Sequence, residues 1–345
     1  MALSALQGVV ERFFVFVDEN QNVIVATSIT GLGIWLFRRW KSGGRCRSTV
    51  DLHGKTVIIT GANSGIGKET ARDLARRGAR VILACRNLET AVIAANDIQK
   101  DATGEIVVRK LDLASFASIR TFAKQISDSE SHVDILINSA RVYGPKLKTE
   151  DGFDRTFGIN HLGHFLLTNL LLDRLKKSAP ARIINITSSV HKYGTGMYWE
   201  DLNLDRPKAY VPWKAYCQSK LANILFSKEL GKRLLGTGVT TYAVHPGFVR
   251  AELDHYHPEV IGWTKRNFYK LLGFMMAKTP AQGAQTTIYC AVADELQNKT
   301  GYYYRDCHES TPSPKAMDWS SAARLWEVSL KMVGLDNNNE KGSKT

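Results

Sequence analysis

"TVIITGANSGIGKE", Thr56 to Glu69, joins a β-branched apolar run to a glycine-rich turn and then to the start of a helical pattern. The run has the length and composition of a buried strand. Gly61, Gly65 and Gly67 allow a sharp turn, a close approach to a pyrophosphate and tight packing of the next helix on the sheet. The free N–H groups at that helix's start face the anion. Thr60, Gly61, Ser64, Gly65, Ile66 and Gly67 are therefore candidate phosphate and cofactor contacts. The spacing differs from the common G-x-G-x-x-G, and glycines also punctuate turns that bind nothing. Position directly after the first strand is what favours the binding reading.

Outward from this stretch the chain alternates. The runs Thr56–Thr60, Arg80–Ala84, Ile106–Leu113, Asp134–Asn138, Arg182–Thr187 and Thr240–Pro246 are separated by segments with helical apolar spacing. This order predicts an α/β protein built on one Rossmann-type, doubly wound parallel sheet. Gly301–Arg305 is a further candidate strand, and Ser320–Val333 reads as a closing helix with serine at its start. The expected organisation is an N-terminal anchor and basic linker over 1–50, one domain over 51–335 and a disordered polar tail over 336–345.

Composition narrows the chemistry. The chain has 345 residues, with 46 Lys and Arg against 33 Asp and Glu, a net charge of +13. That balance suits an anionic membrane, a phosphorylated ligand or nucleic acid, but no nucleic-acid recognition motif accompanies it. Cys46, Cys85, Cys217, Cys290 and Cys307 are scattered without a CxxC pair, which predicts neither a disulfide framework nor a metal site.

Val23 to Phe37 carries no charge and ends at Arg38, Arg39 and Lys41, with Arg45 and Arg47 beyond. It is shorter than the ~20 residues of a usual spanning helix, and reads as a short membrane anchor with a buried core helix as the alternative. Glu11, Asp18 and Glu19 precede it, against a signal or transit peptide. The basic residues that follow would keep the large domain in the cytosol.

Cofactor choice follows from charge. An acid after the second strand usually holds a ribose 2′-hydroxyl; here "ACRN" supplies Arg86, and Lys68 lies just past the glycines, a pair that favours a 2′-phosphate over a free hydroxyl. The alternative is that both are solvated surface charges, but no acid follows that strand until Glu89. Asp112 in "LDL" is a candidate for the adenine.

"AYCQSK", Ala215 to Lys220, places a phenol and an ammonium four residues apart. If the segment is helical, Tyr216, Lys220 and Asn223 share a face. A tyrosine with a pKa of about 10 is a poor base at neutral pH, and a neighbouring cation lowers that value. "NITSS" at the end of the fifth strand supplies a hydroxyl for a substrate oxygen, with Ser188 the better candidate than Ser189.

Taken in order, "TGANSGIGKETA", "LDL", "NHLGHFLLT", "SS", "YCQSKLAN" and "TYAVHPGFVRAEL" resemble the short-chain dehydrogenases/reductases, and within them the membrane-anchored retinol dehydrogenases that act with NADP(H). The resemblance spans roughly Asp51 to Leu335. It implies Tyr216 as proton donor or acceptor, Lys220 on the nicotinamide ribose and Ser188 on the substrate oxygen. Asn160 would complete a proton relay through water. Asn138, Pro246, Gly247 and Val249 would lie along the cofactor. The implied reaction interconverts a lipophilic alcohol and its aldehyde or ketone, retinol and retinal first, with steroids or medium-chain aldehydes as alternatives. Expected partners are a retinoid-like substrate, membrane lipid through the anchor and a second copy in a homodimer, without nucleic acid. The expected location is the endoplasmic reticulum membrane with the domain in the cytosol, or else a mitochondrial membrane or lipid droplet.

One position departs from the pattern. Where the family has Asn-Asn-Ala-Gly, this chain has Asn138, Ser139, Ala140 and Arg141. Arg141 brings a β-carbon and a long cation to a crowded place, and either closes the site or swings outward. The first outcome would make the protein a catalytically weak, cofactor-binding scaffold or sensor. Ala251 to Pro280 reads as an amphipathic lid or membrane-surface element, with core packing of equal weight.

Overall fold

The computed structural model describes residues 21–249 and 277–336. The chain forms two compact units, one containing the N-terminal segment to Gly43 and the other the bulk of the chain from Gly44. In the first, α1 (Gln21–Lys41) takes in the apolar run and continues through Arg38, Arg39 and Lys41 in its last turn. Those cations complement the partial negative charge of the helix C-terminus. No helix among the described residues is long and apolar enough to cross a membrane. The Phe13–Val17 run, residues 251–276 of the candidate lid and the polar tail from 337 onward lie outside the described residues.

The second unit is a doubly wound sheet. Its elements run β1 (Thr56–Thr60), α2 (Gly65–Arg76), β2 (Arg80–Cys85), α3 (Leu88–Gln99), β3 (Ile106–Lys110), α4 (Phe116–Ser129), β4 (Ile135–Asn138), α5 (His164–Lys177), β5 (Ala181–Ile186), α6 (Pro212–Arg233), β6 (Val239–His245), α7 (Pro280–Val292), β7 (Tyr302–Arg305), β8 (His308–Glu309) and α8 (Trp319–Met332). The strand order is β3-β2-β1-β4-β5-β6-β7-β8. The pairs up to β6–β7 are parallel, and β8 is antiparallel to β7.

Strand alternation divides the core. Ile58, Ile82, Leu136 and Ile183 point into the cluster with α4, α5, α6 and α8. Their neighbours Val57, Ile59, Val81 and Ile184 enter the opposite cluster with α2, α3 and α7. A parallel sheet covered on both faces needs apolar residues in both registers, which is why its strands read as continuous apolar runs.

Several element ends differ from the sequence reading by a residue or more, and three local features were not read from the sequence. β3 stops at Lys110 because Asp112 Oδ1 accepts the Ala114 N–H at 2.9 Å, turning the chain out of the sheet. The closing helix is capped by Asp318, whose carboxylate accepts from the Ser320 and Ser321 N–H groups, so serine is the recipient of the cap. β7 turns back into β8 through Asp306 and Cys307, both left-handed at φ 52° and 59°. Positive φ at both central residues matches the tight turn that joins antiparallel strands.

Candidate active site

The strand order reverses at β1, where chains leave toward β2 on one side and β4 on the other, and crevices at such points are where open α/β sheets bind ligands. A cleft of about 260 Å³ opens there. It is lined by Gly61, Ser64, Gly65, Ile66 and Gly67 after β1, Arg86 after β2, Asp112 after β3 and Arg141 after β4.

The glycines are sterically required. Gly61 has φ +67°, and a β-carbon there would lie 2.8 Å from Ala140 Cα. A β-carbon on Gly67 would lie 2.6 Å from the Gly61 carbonyl oxygen. Bare backbone at these positions keeps open a cradle at the start of α2, which fits a pyrophosphate. Thr60 braces the cradle from below. Its hydroxyl accepts the N–H groups of Ser139 at 2.9 Å and Ala140 at 3.0 Å, and lies 2.8 Å from His164 Nε2. His164 Nδ1 faces the Asn160 carbonyl at 3.2 Å, so its proton sits on Nδ1 and the Thr60 hydroxyl donates to Nε2. Burial drives the His164 pKa down to about 4, which keeps the ring neutral in this role.

The two proposed phosphate cations part company. Arg86 is exposed and lines the cleft. Lys68 pairs with Asp97 of α3 at 2.9 Å, and Arg72 joins the same carboxylate at 2.5 Å. The hydrogen bond from Lys68, followed by that from Arg72, holds Asp97 well below the usual carboxylate range. Asn138 is turned into the core, where its Nδ2 donates to Thr168 Oγ1 at 3.0 Å and Asn185 Oδ1 at 2.7 Å. Asn185 continues the chain to Ser227 and Thr241.

α6 carries the phenol and ammonium. Proline at its first turn suits the helix start, and residues 215–227 are buried between the sheet and α8. Lys220 is 1% exposed, and its Nζ donates to the Ile186 carbonyl at 3.1 Å. It stands 5.5 Å from the centre of the Tyr216 ring. Asn223 donates to the same Ile186 oxygen at 3.0 Å, and Thr187 Oγ1 donates to the Lys220 carbonyl at 2.6 Å. The helix is thereby tied to the carboxyl end of β5. Ile186 also lines the cleft, which brings this pair beside it. Ser188 follows, buried at 4%, and Tyr143 meets Tyr216 edge-on at 5.6 Å.

Asn160 sits within a π-helical turn, Gly158–Gly163, ahead of α5. π-turns inside helices are frequent at functional sites. Its side chain accepts from the Val142 N–H at 2.8 Å and donates to the Val142 carbonyl at 3.0 Å and to Ser219 Oγ at 3.1 Å. Asn160 therefore fixes the backbone between Arg141 and Tyr143. At the end of β6, Gly247 has φ +90° and packs against Lys278, while Val249 is fully buried beside Gly283 of α7.

Sequence reading missed several groups: His164, the Lys278–Asp306 pair at 2.5 Å, and two histidines around Ser188. His164 and His161 stand in "NHLGH", a motif noted for its asparagine alone.

A sheet of this order, with a glycine cradle and a buried Tyr–Lys pair at its carboxyl edge, defines a dinucleotide-dependent oxidoreductase. The short chain dehydrogenase pattern matches residues 55–199. The chain belongs to the short-chain dehydrogenase/reductase family. Human retinol dehydrogenase 11 is 50% identical over 301 residues, 86% of this chain and 92% of its own length. Human retinol dehydrogenase 12 is 47% identical over 330 residues, 95% of this chain and 98% of its own. These similarities fall in the retinol dehydrogenase branch. A solved structure from Mycobacterium paratuberculosis is 36% identical with a TM-score of 0.68, covering 85% of this chain and 98% of its own. The family works with nicotinamide cofactors, and the cradle and cleft described above fit one.

Proposed function

We propose that this protein is an NADP(H)-dependent oxidoreductase that interconverts a lipophilic alcohol and its carbonyl form, with retinol and retinal the first candidates. The observation that carries the reading is the buried Lys220 ammonium on the same helix as Tyr216, 5.5 Å from its ring, beside a glycine-cradled cleft. Relatives at 47–50% identity that are named retinol dehydrogenases support the substrate class. Arg86 at the cleft supports the 2′-phosphate form of the cofactor.

A nicotinamide cofactor held in this cleft would supply or accept the hydride. Tyr216 gives its proton to the carbonyl oxygen in reduction and takes it back in oxidation. Lys220 favours the phenolate electrostatically, because a cation near a phenol stabilises its ionised form. The same ammonium would contact the nicotinamide ribose. Ser188 holds the substrate oxygen, and Asn160 belongs to the proton path through water. Gly61, Gly65, Gly67, Arg86 and Asp112 bind the cofactor. Pro246, Gly247 and Val249 would lie beside its nicotinamide, Asn138 acts from behind as a support through Thr168 and Asn185, and Lys68 supports the glycine turn through Asp97.

Membrane lipid around α1 and the basic run that follows would deliver a greasy substrate, with the main unit in the cytosol on an endoplasmic reticulum membrane. The test is turnover of all-trans-retinal with NADPH by purified protein against Tyr216→Phe. The wild type should reduce retinal, and the variant should lose at least two orders of magnitude. Equal rates in both would overturn the assignment. Arg141 at the cleft favours one second reading, a cofactor-binding scaffold of low turnover. That reading predicts NADPH binding without measurable retinal, steroid or medium-chain aldehyde reduction, and recovery of turnover in Arg141→Gly.

A further inference from the structure

The peptide group that follows Ser188 is held at both ends of its dipole by buried histidines. Its carbonyl, from Ser188, accepts from His191 Nδ1 at 2.7 Å. Its N–H, from Ser189, donates to His245 Nδ1 at 3.2 Å. His191 comes from the short 3-10 turn after β5, and His245 is the last residue of the adjacent β6. They are 0% and 5% exposed.

The partners fix both tautomers. A carbonyl can only accept, so His191 carries its proton on Nδ1, which frees Nε2 to accept the Ser313 N–H at 3.0 Å. His245 accepts at Nδ1 and so carries its proton on Nε2. A doubly protonated ring could not accept at either position. Burial lowers both pKa values, that of His245 to about 3. The charged and titratable groups facing His245 are Arg305, Asp306, Lys278 and His191, and Lys192 faces His191.

The Ser188 hydroxyl itself is held loosely, accepting from the Val190 N–H at the long distance of 3.5 Å. Its direction therefore depends on the backbone that carries it. We propose that His191 and His245 are positioning residues, which clamp the Ser188–Ser189 peptide so that the Ser188 hydroxyl points at the substrate oxygen. The inference rests on the assignment of Ser188 above. Through Ser313 the clamp also ties that serine to the segment just before the short Pro314–Met317 helix, so the two must move together.

The experiment is a double-mutant cycle read by steady-state retinal reduction and NADPH titration. His245→Leu removes the acceptor, and His245→Asn restores one where Nδ1 stood. His191→Phe keeps the edge-on ring contact with Tyr303, at 5.5 Å, and removes both hydrogen bonds. His245→Leu and His191→Phe should each lower kcat about tenfold or more with NADPH affinity changed less than about twofold, and His245→Asn should recover most of the loss. In a Ser188→Ala background the same histidine changes should cost nothing further, since residues acting through one group are non-additive. Additive losses, a parallel fall in NADPH affinity or no recovery by asparagine would each overturn the clamp. If His245→Leu does not fold, the His191→Phe cycle decides alone. A Ser188→Ala protein with full activity would instead remove the underlying assignment, and the clamp with it.

Discussion

The Lys220 ammonium donates to the Ile186 carbonyl at 3.1 Å, which ties the middle of α6 to the last residue of β5. A buried lysine has four rotatable bonds to immobilise, and this contact fixes the charge beneath the Tyr216 ring. Asn223 reaches the same oxygen, so the carbonyl stays satisfied when the lysine is removed. Loss of Lys220 therefore tests chemistry more than folding.

Lys220→Ala should lower turnover by roughly 10²- to 10⁴-fold, the usual range for a disabled acid–base group. The pH–rate profile should move to higher pH, because phenolate is no longer favoured by the cation. NADPH affinity should fall as well, through loss of the ribose contact. Stopped-flow turnover between pH 6 and 10 and fluorescence titration measure these. An unchanged profile with unchanged affinity would sink the assignment.

Arg86→Asp should reverse cofactor preference. Arg86 is exposed at the cleft, whereas Lys68 is committed to Asp97, so one arginine carries most of the discrimination. Charge-assisted hydrogen bonds are worth about 1.5–3 kcal/mol, so NADPH should weaken by roughly 10- to 100-fold while NADH changes little. Paired titrations with both cofactors give the answer, and equal losses would contradict the role.

Stability should fall with acid from about pH 6.5 downward. Burial pushes His161 and His245 to about 3 and His164 to about 4, and His191 moves the same way, from an ordinary value of 6.5. Their folded pKa values lie below the unfolded one, so between pH 6.5 and 4 the unfolded chain binds protons that the folded chain does not. Stability is complete above 6.5 and drains as pH drops, by up to about 1.4 kcal/mol per pH unit for each histidine. Urea unfolding at pH 7.5, 6.5, 5.5 and 4.5 should show the decline. A flat dependence would mean that the rings are solvated and charged in the native state.

Asn298 should carry no glycan in cells. The chain holds two sequons, "NIT" at Asn185 and "NKT" at Asn298. Asn185 is 1% exposed within β5 and is silent on topology, but Asn298 is exposed in the turn before β7. The basic residues from Arg38 to Arg47 predict a cytosolic domain, away from the glycosylation machinery. A mobility shift abolished by glycosidase and by Asn298→Gln would reverse the orientation.

Much of the fold was legible because a covered parallel sheet writes itself locally. β1 and the strand starting at Arg80 follow from β-branched runs bounded by glycine, arginine and asparagine. The Gly61, Gly65 and Gly67 cradle follows from the same stretch. Tyr216, Lys220 and Asn223 share a helix face by spacing alone, and the face is indeed turned to the end of β5. The extent of β3 and the capping of α8 were misread because each was decided by one aspartate side chain, Asp112 and Asp318, bonding to nearby backbone. Apolar periodicity carries no record of that competition.

The sequence by itself determined the order of strands and helices, the glycine turn and the residues able to do acid–base chemistry. These depend on interactions within a few positions, which composition and period record. Tertiary structure alone decided which polar groups were free to act. It paired Lys68 with Asp97, turned Asn138 toward Asn185, set the Asn160 side chain between Val142 and Ser219 and closed His191 and His245 on one peptide. A buried polar group must find a partner, and in a doubly wound sheet that partner comes from whichever strand or helix the topology sets beside it, often far away in the chain.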